Sequence, residues 1–248
     1  MTTEKIQANG KNGNGKNGKF LEDIYIQNLG TVYGLRSKLS SAMAQLATKN
    51  AFIISGRDFA YSRRVSYYGE DRSLSNLGSI ISEAVINIPD YGRILTKDSP
   101  ILSDEKIAKE ATKAHENDTE AYIFKELAES YITKANAEKE KNPAESRTLI
   151  LENLVAIPIN KMPFDKRTLF LFEDEVEETR KFLDSLKVKE ICFHFDSIDN
   201  INKHEGGPYI NQLLMGCIER DTLRIMGTPT YNYLGSKDCV IRGLAKLS

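Results

Sequence analysis

Between Thr148 and Asp199, two runs rich in β-branched and aromatic residues flank an amphipathic stretch, and each run ends in acidic residues. No other part of the chain restricts the fold as tightly. Thr148–Ile159 and Thr168–Phe172 read as strands, 174–186 as a helix burying Val176, Thr179, Leu183 and Leu186, and Glu190–Phe195 as a further strand. Strand, helix and strand with tight links predict a right-handed parallel βαβ crossover over about 148–196. The fold class expected is therefore α/β or α+β, with a mixed sheet containing that unit.

Outside this segment the pattern is less regular. Ile24-Tyr25-Ile26 reads as a strand, and Leu35, Leu39, Met43 and Leu46 fall on one face of a helix, with Gly30 and Gly34 shaping the turn between them. Ala51–Ser55 reads as a short buried strand. Ser73 is placed to cap a helix whose Leu77, Ile80, Ile81, Ala84, Val85 and Ile88 form an apolar stripe ended by Pro89. Residues 103–141 turn to Glu, Lys and Ala, with Asn117-Asp118 breaking two helices, which reads as a peripheral helical insertion. Ile210–Ile218 is an apolar run open to a helical reading, and the chain closes on short strands near Cys239-Val240-Ile241.

These elements divide the chain into a Gly/Asn/Lys tail over 1–19, a single core domain over 20–102 and 142–248, and the charged helical insertion over 103–141. The tail lacks the apolar area needed to offset chain entropy and is expected to be flexible. With 248 residues and 40% hydrophobic content, a sizeable core is available. No repeat of 20–50 residues suggests a solenoid or propeller.

The formal net charge of -1 excludes a protein that coats nucleic acid through bulk charge alone. Three widely spaced cysteines fit a reducing compartment better than a disulfide framework. No stretch approaches the roughly 20 apolar residues of a membrane span, and the N-terminus has no apolar signal core. A cytoplasmic protein without a membrane partner is expected.

Cofactor motifs are missing. There is no G-x-x-x-x-G-K-[ST], and Gly206-Gly207 runs into Pro208 instead of a helix-opening glycine pattern. No catalytic residue can be named, and no cofactor is expected. His194, Asp196, Asp199 and His204 lie where an open parallel sheet would bind ligands, beyond a strand's carboxyl end, and imidazole with carboxylate suits a divalent metal. The same stretch also reads as an ordinary polar loop. His194-Phe195-Asp196 with the late Cys239 is similar to the His-x-Asp and cysteine pair of guanidine-modifying enzymes, but the glycine-flanked cysteine and earlier acidic motifs of that family are missing.

The other candidate is Gly56–Tyr68, where arginines alternate with aromatics after a short strand. Arginine neutralises phosphate and stacks on bases, and tyrosine offers a flat face to unpaired ones. Arg57, Tyr61, Arg63, Arg64, Tyr67 and Arg72 would form a single-stranded RNA-binding loop on a subunit of a larger assembly with other proteins. The alternatives are a metal- or thiol-dependent small-molecule hydrolase and an assembly protein acting through residues 103–141.

Overall fold

The structure is a computed structural model that describes residues 19–26, 28–36, 39–68, 78–117, 119–152, 154–219, 221–228 and 240–246. The tail over 1–18, Arg72, Ser73, Leu77 and Cys239 lie outside these residues. The strands are β1 (Lys19–Ile26), β2 (Gly30–Arg36), β3 (Phe52–Ile53), β4 (Ser79–Ile88), β5 (Gly92–Thr96), β6 (Ala121–Tyr122), β7 (Thr148–Leu151), β8 (Ile157–Pro158), β9 (Glu190–His194), β10 (Tyr209–Glu219), β11 (Thr222–Thr228) and β12 (Val240–Lys246). The α-helices are α1 (Leu39–Ala47), α2 (Gly56–Tyr68), α3 (Pro100–Ser103), α4 (Glu105–Glu116), α5 (Lys125–Glu138), α6 (Lys166–Phe172), α7 (Val176–Ser185) and α8 (Ile198–Asn202).

All the described strands join one mixed sheet, ordered β1-β2-β12-β4-β10-β11-β9-β8, with β3 on β12, β6 on β10, and β5 linking β4 to β7. The C-terminal strand β12 thus sits between the N-terminal hairpin and the central strand β4. Side-chain alternation sends the sheet's apolar residues to both faces. On one face Ile81, Val85, Leu95, Leu213 and Ile225 pack with α2, α6 and α7 through Phe59, Phe170 and Phe182. On the other face Ile80, Ala84, Ile86, Ile94 and Leu214 pack with α1, α4 and α5 through Leu46, Ala111 and Ala135. The segment over 103–141 is therefore one covering layer of the core, held by small residues that let its helices approach closely.

The mixed helical and stranded class agrees with the sequence, while several elements differ. The run predicted as a helix ending at Pro89 is strand β4, followed by a tight turn into β5. Pro89 opens that turn, where Asp90 and Gly92 take left-handed backbone angles of 60° and 120°. A strand buried on both faces carries a continuous apolar run without period-2 alternation, and such a run mimics a helical stripe. Thr168–Phe172 belongs to helix α6, begun by Asp165, whose side chain accepts from the Arg167 backbone N–H. Ile210–Ile218 is strand β10. The strand–helix–strand unit exists, but β8 and β9 are antiparallel neighbours. Parallel pairs occur elsewhere, between β9 and β11 and between β12 and β4. No described helix is long and apolar enough to cross a membrane.

One irregularity positions the rest of the molecule. The β4–β10 register jumps between Gln212↔Ala84 and Leu214↔Ile80, so three β4 residues, 81–83, stand opposite Leu213 alone. The buried Gln212 side chain repairs the interrupted ladder by donating to the carbonyls of Ile81 at 2.6 Å and Glu83 at 2.9 Å. Its own oxygen accepts from Ser99 Oγ at 2.6 Å. Gln212→Leu strands these three buried groups and is expected to cost at least about 3 kcal/mol, lowering Tm by roughly 6–12 °C. Thermal melts followed by circular dichroism check this.

Candidate functional site

The bulge turns the Glu83 side chain toward the start of α2. Both Glu83 carboxylate oxygens accept from the Gly56 backbone N–H, each at 3.0 Å, and Asp58 N–H donates to Ser55 Oγ at 3.1 Å. Two side chains thereby satisfy the first free donors of the helix. Glu83 is buried, and burial pushes its carboxyl up to about 7 against the opposing pull of the Gly56 N–H and the Lys97 charge.

Around Glu83 opens a cleft of about 1120 Å³. Its cations are Arg57, Lys97, Arg147 and Lys246; its acids are Asp58, Asp98, Glu145, Glu173 and Asp174, with Glu83 in its wall. Acids exceed cations by one, or by two when Glu83 is ionised. Most of these charges are paired inside the cleft. Arg57 donates to Asp174 at 2.6 and 3.0 Å and to Asp58 at 2.8 Å, and the bond from Arg57 holds Asp174 below the usual carboxylate range. Lys97 Nζ donates to Glu173 and to the Ala144 carbonyl, each at 2.6 Å, and lies 5.2 Å from the Phe170 ring centre. Arg147 grips Asp98 with two nitrogens, and Lys246 reaches Asp58 at 3.6 Å.

A second polar group lies at the other end of β4. Tyr209 O–H donates to Asp196 at 3.0 Å, Arg93 to the Asp196 carbonyl at 2.8 Å, and Asn211 to Glu120 at 3.3 Å. Burial, reinforced by the Asp196 charge, raises Glu120 to about 7 and moves Tyr209 upward as well. The His204 ring leans on Tyr209, centroids 4.6 Å apart.

The predicted metal residues meet here only in part. Asp196 and His204 both touch Tyr209, whereas His194 is exposed at the end of β9 and Asp199 is exposed in the first turn of α8. Among the described residues no three His, Cys, Asp or Glu side chains form a group able to hold a metal.

The predicted RNA-binding loop is helix α2, and Arg57, Arg63, Arg64 and Tyr67 on it are engaged with other parts of the fold. Arg57 carries the two ion pairs already described. Arg63 is 2% exposed and donates to the Gly216 carbonyl at 3.1 Å. Arg64 pairs with Glu175 at 2.8 Å and lies 5.2 Å from the Tyr61 ring centre. Tyr67 packs edge-on against Phe182. Besides the neighbouring Asp58, the acids that pair with Arg57 and Arg64 are Asp174 and Glu175, over a hundred residues away, where the sequence gives no hint of the pairing. Glu83 left a sequence signal that went unused: it is the one acid in the apolar run Ser79–Ile88.

No protein-family model and no curated protein matches the sequence. A solved structure does share the architecture, one described as the accommodation of massive sequence variation in Nanoarchaeota by the C-type lectin fold. It superimposes with a TM-score of 0.58 at 10% identity, covering 89% of this chain and 100% of its own. The likeness is one of fold.

Two outcomes follow. Arg63→Ala removes a buried cation and its carbonyl bond, and is expected to destabilise by about 2–4 kcal/mol; Arg64→Ala breaks a mostly buried pair with Glu175 and is expected to cost about 1.5–3 kcal/mol. Urea denaturation of both variants measures the difference. Glu83, raised from 4.5 to about 7, binds its proton more tightly when folded. Its contribution is complete below about pH 4.5 and lost as pH rises to about 7, a fall of about 3 kcal/mol. Glu120 adds a smaller, solvent-screened loss over the same window. Glu83→Gln keeps an acceptor for Gly56 and is expected to flatten the decline in melts between pH 5 and 7.5.

Proposed function

We propose that this chain is a recognition module that binds a small cationic ligand in the cleft beside Glu83. The observation that carries this reading is the excess of acids in a large polar cleft on a rigid strand–helix junction. An incoming cation can compete for Asp174 or Asp98 with their present partners, because both acids are solvent-exposed. The fold neighbour supports a recognition role by analogy, since a framework that accommodates massive sequence variation leaves its site residues free to suit a ligand.

Single-stranded RNA, the partner expected from the arginine–aromatic run, would have to displace Asp174 and Glu175 from Arg57 and Arg64 and enter a cleft of the wrong charge. That reading therefore ranks second. Calorimetric titration with spermidine is expected to show saturable binding that weakens with salt. The double variant Asp174→Asn, Glu145→Gln, both at exposed positions, is expected to bind about tenfold more weakly, a change of about 1.4 kcal/mol. Absence of spermidine binding, together with a salt-sensitive anisotropy change on short RNA, overturns this reading in favour of the second.

A further inference from the structure

Beside the charged cleft lies a second hollow of about 540 Å³, walled by Met43, Leu46 and Ala47 of α1 and by Leu102 of α3. The two share Phe52, Ile53, Ser82, Lys97 and Asp98 on their common border. One side of the border is therefore apolar and the other acidic. Phe52, on the short strand β3, lines both and is 75% exposed, so its ring offers apolar surface to either hollow. Ser82, on the same border, stands in the β4 bulge, its N–H bonded to the Ile54 carbonyl and its own carbonyl accepting from Ser99 N–H. The backbone on this side of the border is thus fixed in position.

The border charges are arranged to admit a cation rather than an anion. Lys97 points to Glu173 and the Ala144 carbonyl, so its charge is neutralised. Among the described residues the Asp98 carboxylate is held by Arg147 in a solvent-exposed pair, for which an entering ammonium group can compete. An uncharged head group would gain no ionic partner there, and a carboxylate would enter a cleft whose acids outnumber its cations.

We propose that the two hollows form one bipartite site for a small amphiphilic amine, its ammonium in the acidic cleft at Asp98 and its hydrocarbon or aromatic tail in the α1 hollow against Leu46, Leu102 and Phe52. This rests on the reading of the cleft as a cation site and names the ligand's second half. Purely polar cations use half of the site. Alkyl amines use both, and their affinity rises with chain length until the hollow is filled.

The test is a calorimetric series of butylammonium, hexylammonium and octylammonium, with octanol, octanoate and spermidine as comparators. Each added methylene is expected to tighten binding about three- to fourfold, and octylammonium to exceed octanol and octanoate by at least tenfold. Ala47→Trp, at an exposed helix end, fills the hollow and is expected to abolish the chain-length gain while leaving spermidine binding and the melting temperature unchanged. A flat alkyl series beside intact spermidine binding overturns the bipartite site and leaves the cation cleft standing. Equal binding of octanol or octanoate overturns the ionic half of the assignment. Absence of binding by every cation overturns both readings.

Discussion

The bulge at residues 81–83 of β4 is the feature on which the remaining geometry depends. Three residues opposite one leave backbone carbonyls unpaired at the centre of a sheet buried on both faces, which is untenable unless a side chain supplies the missing donors. Gln212 supplies them. Because the ladder is interrupted there, Glu83 reaches the start of α2, and Ser82 is released from the β10 ladder to bond Ile54 and Ser99. Central strand, first helix of one layer and cleft wall are thus fixed by the same few hydrogen bonds.

Burial then decides the chemistry of the carboxylates. Glu83 stands midway along β4 and Glu120 just before β6, and each is shifted to about 7 chiefly by desolvation. Glu83 also accepts from a helix N-terminus and feels the Lys97 charge, both of which favour ionisation. Loss of water outweighs them. Asp174, which remains wet, keeps its charge and its partner. The cleft therefore combines one acid that titrates near neutrality with another held below the usual carboxylate range.

The sequence anticipated the class of fold and several elements, including β1, the helix near 176–185 and β9, because their apolar spacing follows a single period. It failed where period and environment disagree. Strand β4 was read as a helix because burial on both faces erases alternation, and Thr168–Phe172 was read as a strand because five bulky residues in a short helix look alike in either state. The arginine–aromatic run was read as a loop reaching for phosphate. In the fold it is an amphipathic helix whose cations meet Asp174 and Glu175, more than a hundred residues away, and the Gly216 carbonyl, more than a hundred and fifty away.

By itself, the sequence determined that this chain builds a mixed sheet with helices, since local hydrophobic periodicity is written in consecutive residues. Only the tertiary structure decided which strands are neighbours, that the 103–141 block covers one face of the sheet, and that the charges near 57, 98, 147, 174 and 246 gather around Glu83. Those facts depend on contacts between distant parts of the chain, which loop closure and core packing select together. No local pattern encodes them.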